Sequence, residues 1–219
     1  PGAGGRKGEP AGGAAAAGRN PVGRRRAKPL SWQGGEPLNH RPPARTGPAA
    51  SAERFMPIIP EVLDYADELG AIRRDIHAHP ELCFQEERTA DLIAHALQSW
   101  GIPVHRGLGK TGVVGIVKNG TSTRAVGLRA DIDALPMSEH NHFAHASRHP
   151  GKMHACGHDG HTAMLLAAAR HLSKHRSFDG TVYLVFQPAE EGGGGAREMM
   201  KDGLFEKFPM EAIFGAHNW

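Results

Sequence analysis

The chain has 219 residues and a formal net charge of +3, but this charge is unevenly distributed. Residues 1–55 hold ten Lys and Arg against three acidic residues, whereas residues 56–219 hold sixteen against twenty. A body that binds nucleic acid needs a basic face to neutralise phosphates, so the mildly acidic body argues against that partner. The sequence contains no apolar run of about 18 residues, which argues against a membrane-spanning helix.

The first 55 residues form a leader in which Gly, Pro and Ala occupy 30 positions. Such a composition buries too little apolar surface to offset the entropy of ordering, so we expect a disordered leader. Because the first methionine is Met56, one interpretation is that the leader precedes the natural start and is not native. A transit peptide is the alternative, although Ser is scarce and no amphipathic pattern is present. We therefore divide the chain into a leader, 1–55, and a folded body, 56–219.

Helical and strand patterns alternate along the body, with apolar spacings of three and four in the helices and short β-rich runs in the strands. In chain order they are a helix at 60–77, a helix at 86–100 with Gly101 as its C-cap, strands at 112–117 and 125–128, a polar His-rich loop at 138–157, a helix at 162–172, a strand at 181–186, a short helix at 196–201 and a strand at 212–215. This order predicts an α/β fold, with a mostly parallel sheet covered by helices on both faces.

Polar side chains follow three of the predicted strands. Asp131 and Asp133 follow the second strand, Glu190 and Glu191 the third, and His217 the last. Ligands of open α/β sheets bind beyond the carboxyl ends of the strands. We therefore expect these three groups to converge, although they are far apart in the sequence.

The segment 153–161, MHACGHDGH, contains three histidines and one cysteine. Thiolate and imidazole are zinc ligands, and imidazole also binds other divalent metals. A polar loop whose histidines cap the next helix is the alternative, but Cys156 and His158 together favour a metal site. Two cysteines, Cys83 and Cys156, are too few for a disulfide framework and suit a reducing compartment, so we expect a cytoplasmic protein.

Adjacent carboxylates, as at Glu190 and Glu191, are costly to hold together unless a cation neutralises at least one. One of them can then bind metal while its neighbour transfers protons. Two solvated acids in a flexible loop are the alternative. Asp133 is as consistent with capping a turn as with a direct role. The motifs of zinc deaminases and of serine hydrolases are absent.

Residues 60–219 resemble the hippurate hydrolase and N-acyl-amino-acid amidohydrolase family, which belongs to the aminoacylase/carboxypeptidase superfamily of dinuclear metallohydrolases. The strings that carry the resemblance are LGAIRRDIHAHPEL, GLRADIDALPM, MHACGHDGHT, FQPAEEGGGGA and AIFGAHNW. The resemblance implies metal-assisted hydrolysis of an N-acyl amino acid to a carboxylic acid and a free amino acid.

The resemblance also implies a role for individual residues. Glu190 matches the general base, and Asp131 matches an acid that supports the metal site. His154, His161 and Cys83 match no functional position. The residues that match ligands of two divalent ions, manganese or zinc, are Cys156, His158, Glu191 and His217.

Members of the family continue past the segment that ends at Trp219. Their later part supplies a further histidine ligand, the remainder of the catalytic domain and a lid or dimerisation domain. We therefore expect this chain to be an N-terminal half that is inactive alone, and the full-length form to be a homo-oligomer. Two other interpretations stay open: a metal-binding fragment without turnover, and a leader-driven binder of nucleic acid or membrane surfaces.

Overall fold

The computed structural model describes residues 59–218. The predicted leader lies outside the described residues, so the prediction for it stays a prediction. Within the described part of the chain, no helix is long and apolar enough to cross a membrane.

Residues 59–218 form six helices and five strands. In chain order these are α1 (Pro60–Leu63), α2 (Ala66–Ala78), α3 (Glu87–Ser99), β1 (Val104–Leu108), β2 (Gly112–Asn119), β3 (Ala125–Asp131), α4 (His158–Lys174), β4 (Gly180–Gln187), α5 (Gly195–Lys201), α6 (Leu204–Lys207) and β5 (Ala212–Gly215).

The five strands form one sheet in the order β1-β2-β4-β3-β5. Strand β3 pairs in parallel with β4 and β5, whereas β2 pairs antiparallel with β1 and β4. The predicted α/β class is confirmed, but the sheet is mixed where mostly parallel pairing was expected. Only three residues join β1 to β2 and five join β2 to β3, which is too short for a parallel crossover. Helix α4 provides the crossover that makes β3 and β4 parallel.

Helices cover both faces of the sheet, as predicted. Alternate residues of β2 and β4 point to opposite faces, because side chains of a strand alternate with a period of two. On one face, Val113 and Phe186 pack with buried residues of α3 and α4. On the other face, Val114 and Val185 pack with Met199 of α5 and Leu204 of α6.

Several boundaries differ from those predicted. The helix expected at 60–77 is two helices, interrupted where Tyr65 turns its buried ring into the core against Arg170. Helix α4 begins four residues earlier than expected, after Gly157 in a left-handed conformation with φ +84°. Strand β1 was not predicted, because its sequence VHRGL has no apolar run and is partly exposed. Gly101 ends α3 as expected, although the C-cap residue itself is Trp100: Gly101 follows it with φ +71° and donates its N–H to the Gln98 carbonyl.

The parallel direction of β3, β4 and β5 determines where polar residues collect. These strands end at Asp131, Gln187 and Gly215 respectively. Their carboxyl ends lie at one edge of the sheet. The residues that follow them are therefore brought together at this edge, as expected from the sequence.

Candidate metal centre

The structure brings all six predicted site residues into three overlapping groups of side chains that could hold a metal ion. Within each group, the potential ligand atoms lie within 4.8 Å of one another. His158 belongs to all three. The groups are Cys156, His158 and His217; His158, Glu190 and Glu191; and Asp131, His158 and His161.

His158 lies at the centre of the site as the first residue of α4, and its side chain is fully buried. Its Nε2 atom lies 3.8 Å from Glu190 Oε2 and 3.8 Å from Glu191 Oε1. Its Nδ1 atom lies 2.8 Å from the Asp133 carbonyl oxygen, so an Nδ1–H would donate there and leave Nε2 as an electron-pair donor. Burial lowers the pKa of His158, but the carboxylates of Asp133 and Asp131 outweigh it and raise that pKa overall.

Cys156 and His217 form the second part of the site. The Cys156 Sγ lies 3.4 Å from His217 Nε2, which joins the loop before α4 to the segment after β5. Burial, reinforced by the Glu191 carboxylate, raises the pKa of the Cys156 thiol to about 11. Anionic surroundings of this kind oppose a free thiolate, but they favour a cation, and metal binding deprotonates a ligating thiol.

Two buried atoms show that the site fits a cation. His158 Nε2 and Glu191 Oε1 are both buried without a hydrogen-bond partner. Buried polar atoms are almost always paired, and an orphaned acceptor needs an explanation. A divalent metal would satisfy both atoms, since imidazole, carboxylate and thiolate are its usual protein ligands.

Asp131 contacts two neighbours beside this site. Its Oδ1 lies 2.6 Å from His161 Nδ1, and its Oδ2 lies 2.9 Å from Arg129 Nη1. The Asn218 backbone N–H donates to His161 Nε2 at 3.1 Å. Since Nε2 accepts, the proton of a neutral His161 is on Nδ1 and is donated to Asp131. His161 therefore orients Asp131, a role for which its sequence position gave no signal.

Asp133 has a larger role than the sequence suggested. Its Oδ2 accepts a hydrogen bond from the Glu191 backbone N–H at 2.9 Å, and its Oδ1 lies 3.3 Å from His158 Nδ1. Burial raises the pKa of Asp133, but His158 and the backbone amides of Glu191 and Glu190 more than offset it and lower that pKa. Asp133 thus connects the ends of β3 and β4 behind the site. Only its position two residues after Asp131 could have indicated this.

Cys83 also lies behind the site, although the sequence offered no function for it. Its Sγ lies 3.2 Å from the Glu191 carbonyl oxygen and 3.4 Å from Asp133 Oδ2. Burial, together with the Asp133 carboxylate, raises the pKa of this thiol to about 11. A protonated thiol has one hydrogen to donate, and both acceptors lie within reach of it.

The two adjacent glutamates have different environments. The side chain of Glu191 is 19% exposed and that of Glu190 is 42% exposed. Glu191 therefore points inward toward His158 with one buried oxygen, whereas Glu190 opens toward solvent. This is the arrangement expected if one carboxylate binds metal and the other remains accessible to substrate and water.

The chain is similar to known proteins over most of its described residues. Residues 127–219 match peptidase family M20/M25/M40. The hippurate hydrolase of Campylobacter jejuni is 52% identical over 163 residues, which are 74% of this chain and 42% of that protein. The N-acyl-L-amino acid amidohydrolase of Geobacillus stearothermophilus is 46% identical over 151 residues, or 68% of this chain and 40% of that protein.

A solved structure shows the same fold. The crystal structure of the Bacillus subtilis YXEP protein, described as a dinuclear metal binding peptidase from the M20 family, has a TM-score of 0.68 and 41% identity. The match covers 72% of this chain and 44% of that one.

The fold and the clustered side chains thus match those expected of the peptidase M20 family. The chain carries part of a peptidase M20 domain and is homologous to hippurate hydrolase and N-acyl-amino-acid amidohydrolases. The family resemblance read from the sequence is confirmed. The chain spans about two fifths of the length of the curated relatives it matches.

Proposed function

We propose that the chain is part of a metal-dependent amidohydrolase that hydrolyses the amide bond of N-acyl amino acids. The main observation behind this proposal is the position of His158 Nε2. This buried nitrogen can donate an electron pair to a metal ion, and it lies 3.8 Å from a carboxylate oxygen of Glu190 and of Glu191. The relatives named hippurate hydrolase and N-acyl-L-amino acid amidohydrolase support the reaction and the substrate class.

The proposed cofactor is a pair of divalent ions, either manganese or zinc. Thiolate and imidazole favour zinc, whereas carboxylate oxygens also suit manganese. When bound, such ions polarise a carbonyl group and lower the pKa of water toward neutrality. The four side chains that would hold them are Cys156, His158, Glu191 and His217.

Glu190 is the proposed general base. It is the more exposed carboxylate of the pair, so an attacking water and a substrate can reach it. Glu190 takes the proton from the water as it attacks the acyl carbonyl, and then delivers that proton to the departing amine. The proposed role of Asp131 is to support the metal site: it is held between His161 and Arg129, and its Oδ1 lies 3.6 Å from Nε2 of the proposed ligand His158.

The products would be a carboxylic acid and a free amino acid, which makes hippurate a suitable first substrate. We also propose that the full-length form is a cytoplasmic homo-oligomer. The two thiols, Cys83 and Cys156, are both free, which supports a reducing compartment.

The test is manganese-dependent release of glycine from hippurate. The 219-residue chain and the longest natural polypeptide that contains it would be assayed side by side. Glu190→Gln should abolish release while metal binding is retained. Glu198→Gln, a matched control at a half-buried carboxylate that pairs with Lys201 on α5, should leave release unchanged.

Each outcome discriminates between interpretations. Release by the longer polypeptide alone would make the 219-residue chain a metal-binding piece without turnover. Activity that survives Glu190→Gln would show that the base is wrongly assigned. Metal uptake without release from hippurate or a panel of N-acyl amino acids would show that the substrate class is wrong.

A further inference from the structure

A buried carboxylate outside the ligand cluster lies just before α3. Glu86 is fully buried, and its two oxygens accept hydrogen bonds from the Thr111 hydroxyl at 2.6 Å and from the Ala189 backbone N–H at 2.8 Å. Neither partner is a cation, and burial raises the pKa of Glu86. Burying a carboxyl group in this way is costly, so its position requires an explanation.

The hydrogen bond from the Ala189 N–H to Glu86 links this buried carboxylate to the proposed site. Ala189 directly precedes the Glu190–Glu191 pair and has φ +50°, a left-handed conformation that is strained for a non-glycine residue. Ala189 is fully buried. Without an acceptor, its N–H would be an orphaned donor at a strained residue. Glu86 supplies that acceptor across 103 residues of sequence.

The turn is closed from its other side by Gly195. The Gly195 N–H donates to the Ala189 carbonyl at 3.0 Å. A side chain at Gly195 would place its Cβ 1.7 Å from the Pro188 carbonyl oxygen, so only glycine fits there. The N–H and the carbonyl of Ala189 are thus both hydrogen-bonded, and these two bonds fix the backbone direction at Glu190.

The segment 81–86 makes the same kind of contact with the end of β3. The Ala134 N–H donates to the Glu81 carbonyl at 2.8 Å, and Leu82 forms a bridge with Ala134. Cys83 contacts both Asp133 and the Glu191 carbonyl. This one segment therefore spans the ends of β3 and β4 from which the proposed ligands and base project.

We infer that Glu86 is a positioning residue that fixes the Glu190–Glu191 pair by holding the Ala189 N–H in its strained turn. The inference rests on the proposed function for its kinetic consequence. The position of the Glu190 and Glu191 carboxylates can be measured separately, without any substrate turnover. The carboxyl oxygen acts as a hydrogen-bond acceptor. The length of the side chain therefore decides whether it contacts the Ala189 N–H, and its charge does not.

Two substitutions separate reach from charge. Glu86→Gln keeps the length and an oxygen acceptor for the Ala189 N–H, and its amide can donate to the Thr111 hydroxyl. Glu86→Asp keeps the charge but is one methylene shorter and cannot hold both partners. Two controls match them: Thr111→Val removes only the other hydrogen bond, and Glu87→Gln alters the neighbouring exposed carboxylate.

The variants would be made in the longest natural polypeptide that contains this chain. Two quantities are measured: kcat and KM for hippurate, and the visible absorption spectrum of the cobalt(II)-loaded protein. We expect Glu86→Asp to lower kcat about 10- to 100-fold, the usual loss when support of a metal site is removed, with little change in KM. Its cobalt spectrum should shift. Glu86→Gln should keep kcat within about threefold and keep the spectrum, as should both controls.

Three results would overturn the inference. A lower kcat in Glu86→Gln, together with an unchanged kcat in Glu86→Asp, would show that Glu86 acts through its negative charge. Unchanged kcat and spectrum in Glu86→Asp, with only a lower melting temperature, would leave Glu86 a purely structural role. An equal loss of kcat in Thr111→Val would mean that the hydrogen bond to Ala189 has no particular role in positioning the two glutamates. If the wild type releases no amino acid, the proposed function fails, while the cobalt spectra still test the position of the carboxylates.

Discussion

Removing the Asp133 carboxylate tests how the site is supported from behind. The carboxylate is almost completely buried and accepts the Glu191 N–H at 2.9 Å, with its other oxygen 3.3 Å from His158 Nδ1. Asp133→Ala leaves the Glu191 N–H without this acceptor, which costs about 1–3 kcal/mol. It also removes the negative charge that faces His158.

We therefore expect Asp133→Ala to lower the free energy of unfolding of the metal-free protein by about 2 kcal/mol. It should weaken metal binding about 10- to 100-fold, because the backbone of one proposed ligand and the ring of another lose their support. Asp133→Asn keeps an oxygen acceptor for the Glu191 N–H. It should therefore retain most of the stability while losing part of the metal affinity.

Urea unfolding and competition with a chelator would measure these two quantities. Asp202→Ala is the matched control, since Asp202 Oδ2 accepts the Gly109 N–H at 2.7 Å on another part of the fold. It should lower stability without changing metal affinity. Equal metal affinity in Asp133→Ala and Asp202→Ala would refute the role given to Asp133.

Two further predictions concern the turn after β4 and a buried histidine. Gly195→Ala should be markedly more destabilising in urea than Gly192→Ala, because the added Cβ meets the Pro188 carbonyl at 1.7 Å, whereas Gly192 faces open space with only its φ of +84° to strain. The reverse order would show that the turn relaxes freely. Burial lowers the pKa of His154 to about 4. The unfolded chain therefore takes up this proton first, and stability is lost as pH falls from about 6.5 toward 4, by about 2 kcal/mol at pH 5. His154→Gln should remove this component, and an unchanged difference in unfolding free energy between pH 7.5 and pH 5 would contradict it.

The strands that position the site were predictable, because β2 and β4 are nearly continuous apolar runs and β3 begins with one, AVGL. Apolar strands that alternate with helices favour parallel pairing, so the polar residues after β3, β4 and β5 could be placed at one edge of the sheet. The insertion of β4 between β2 and β3 was not predictable from local patterns. It depends on how α4 packs across the sheet, and that packing involves residues distant in sequence.

The supporting residues were the harder part of the site. Glu86 and Cys83 lie in a polar segment whose pattern resembles that of a surface turn, and their roles come from contacts about a hundred residues away. His161 lies inside a recognisable motif, but whether it binds metal or orients Asp131 depends on which ring nitrogen meets the Asn218 N–H. Such roles depend on tertiary geometry and leave no periodic signal in the sequence.

The central claim is that His158 stands at the centre of a metal site at the carboxyl ends of β3, β4 and β5. The most direct test is the number of zinc or manganese ions retained after dialysis, measured by elemental analysis of the longest natural polypeptide containing this chain. His158→Gln would be compared with His175→Gln, an exposed histidine just beyond the other end of α4. We expect two ions in the wild type and in His175→Gln, and a loss in His158→Gln. Equal metal content in all three proteins would contradict it.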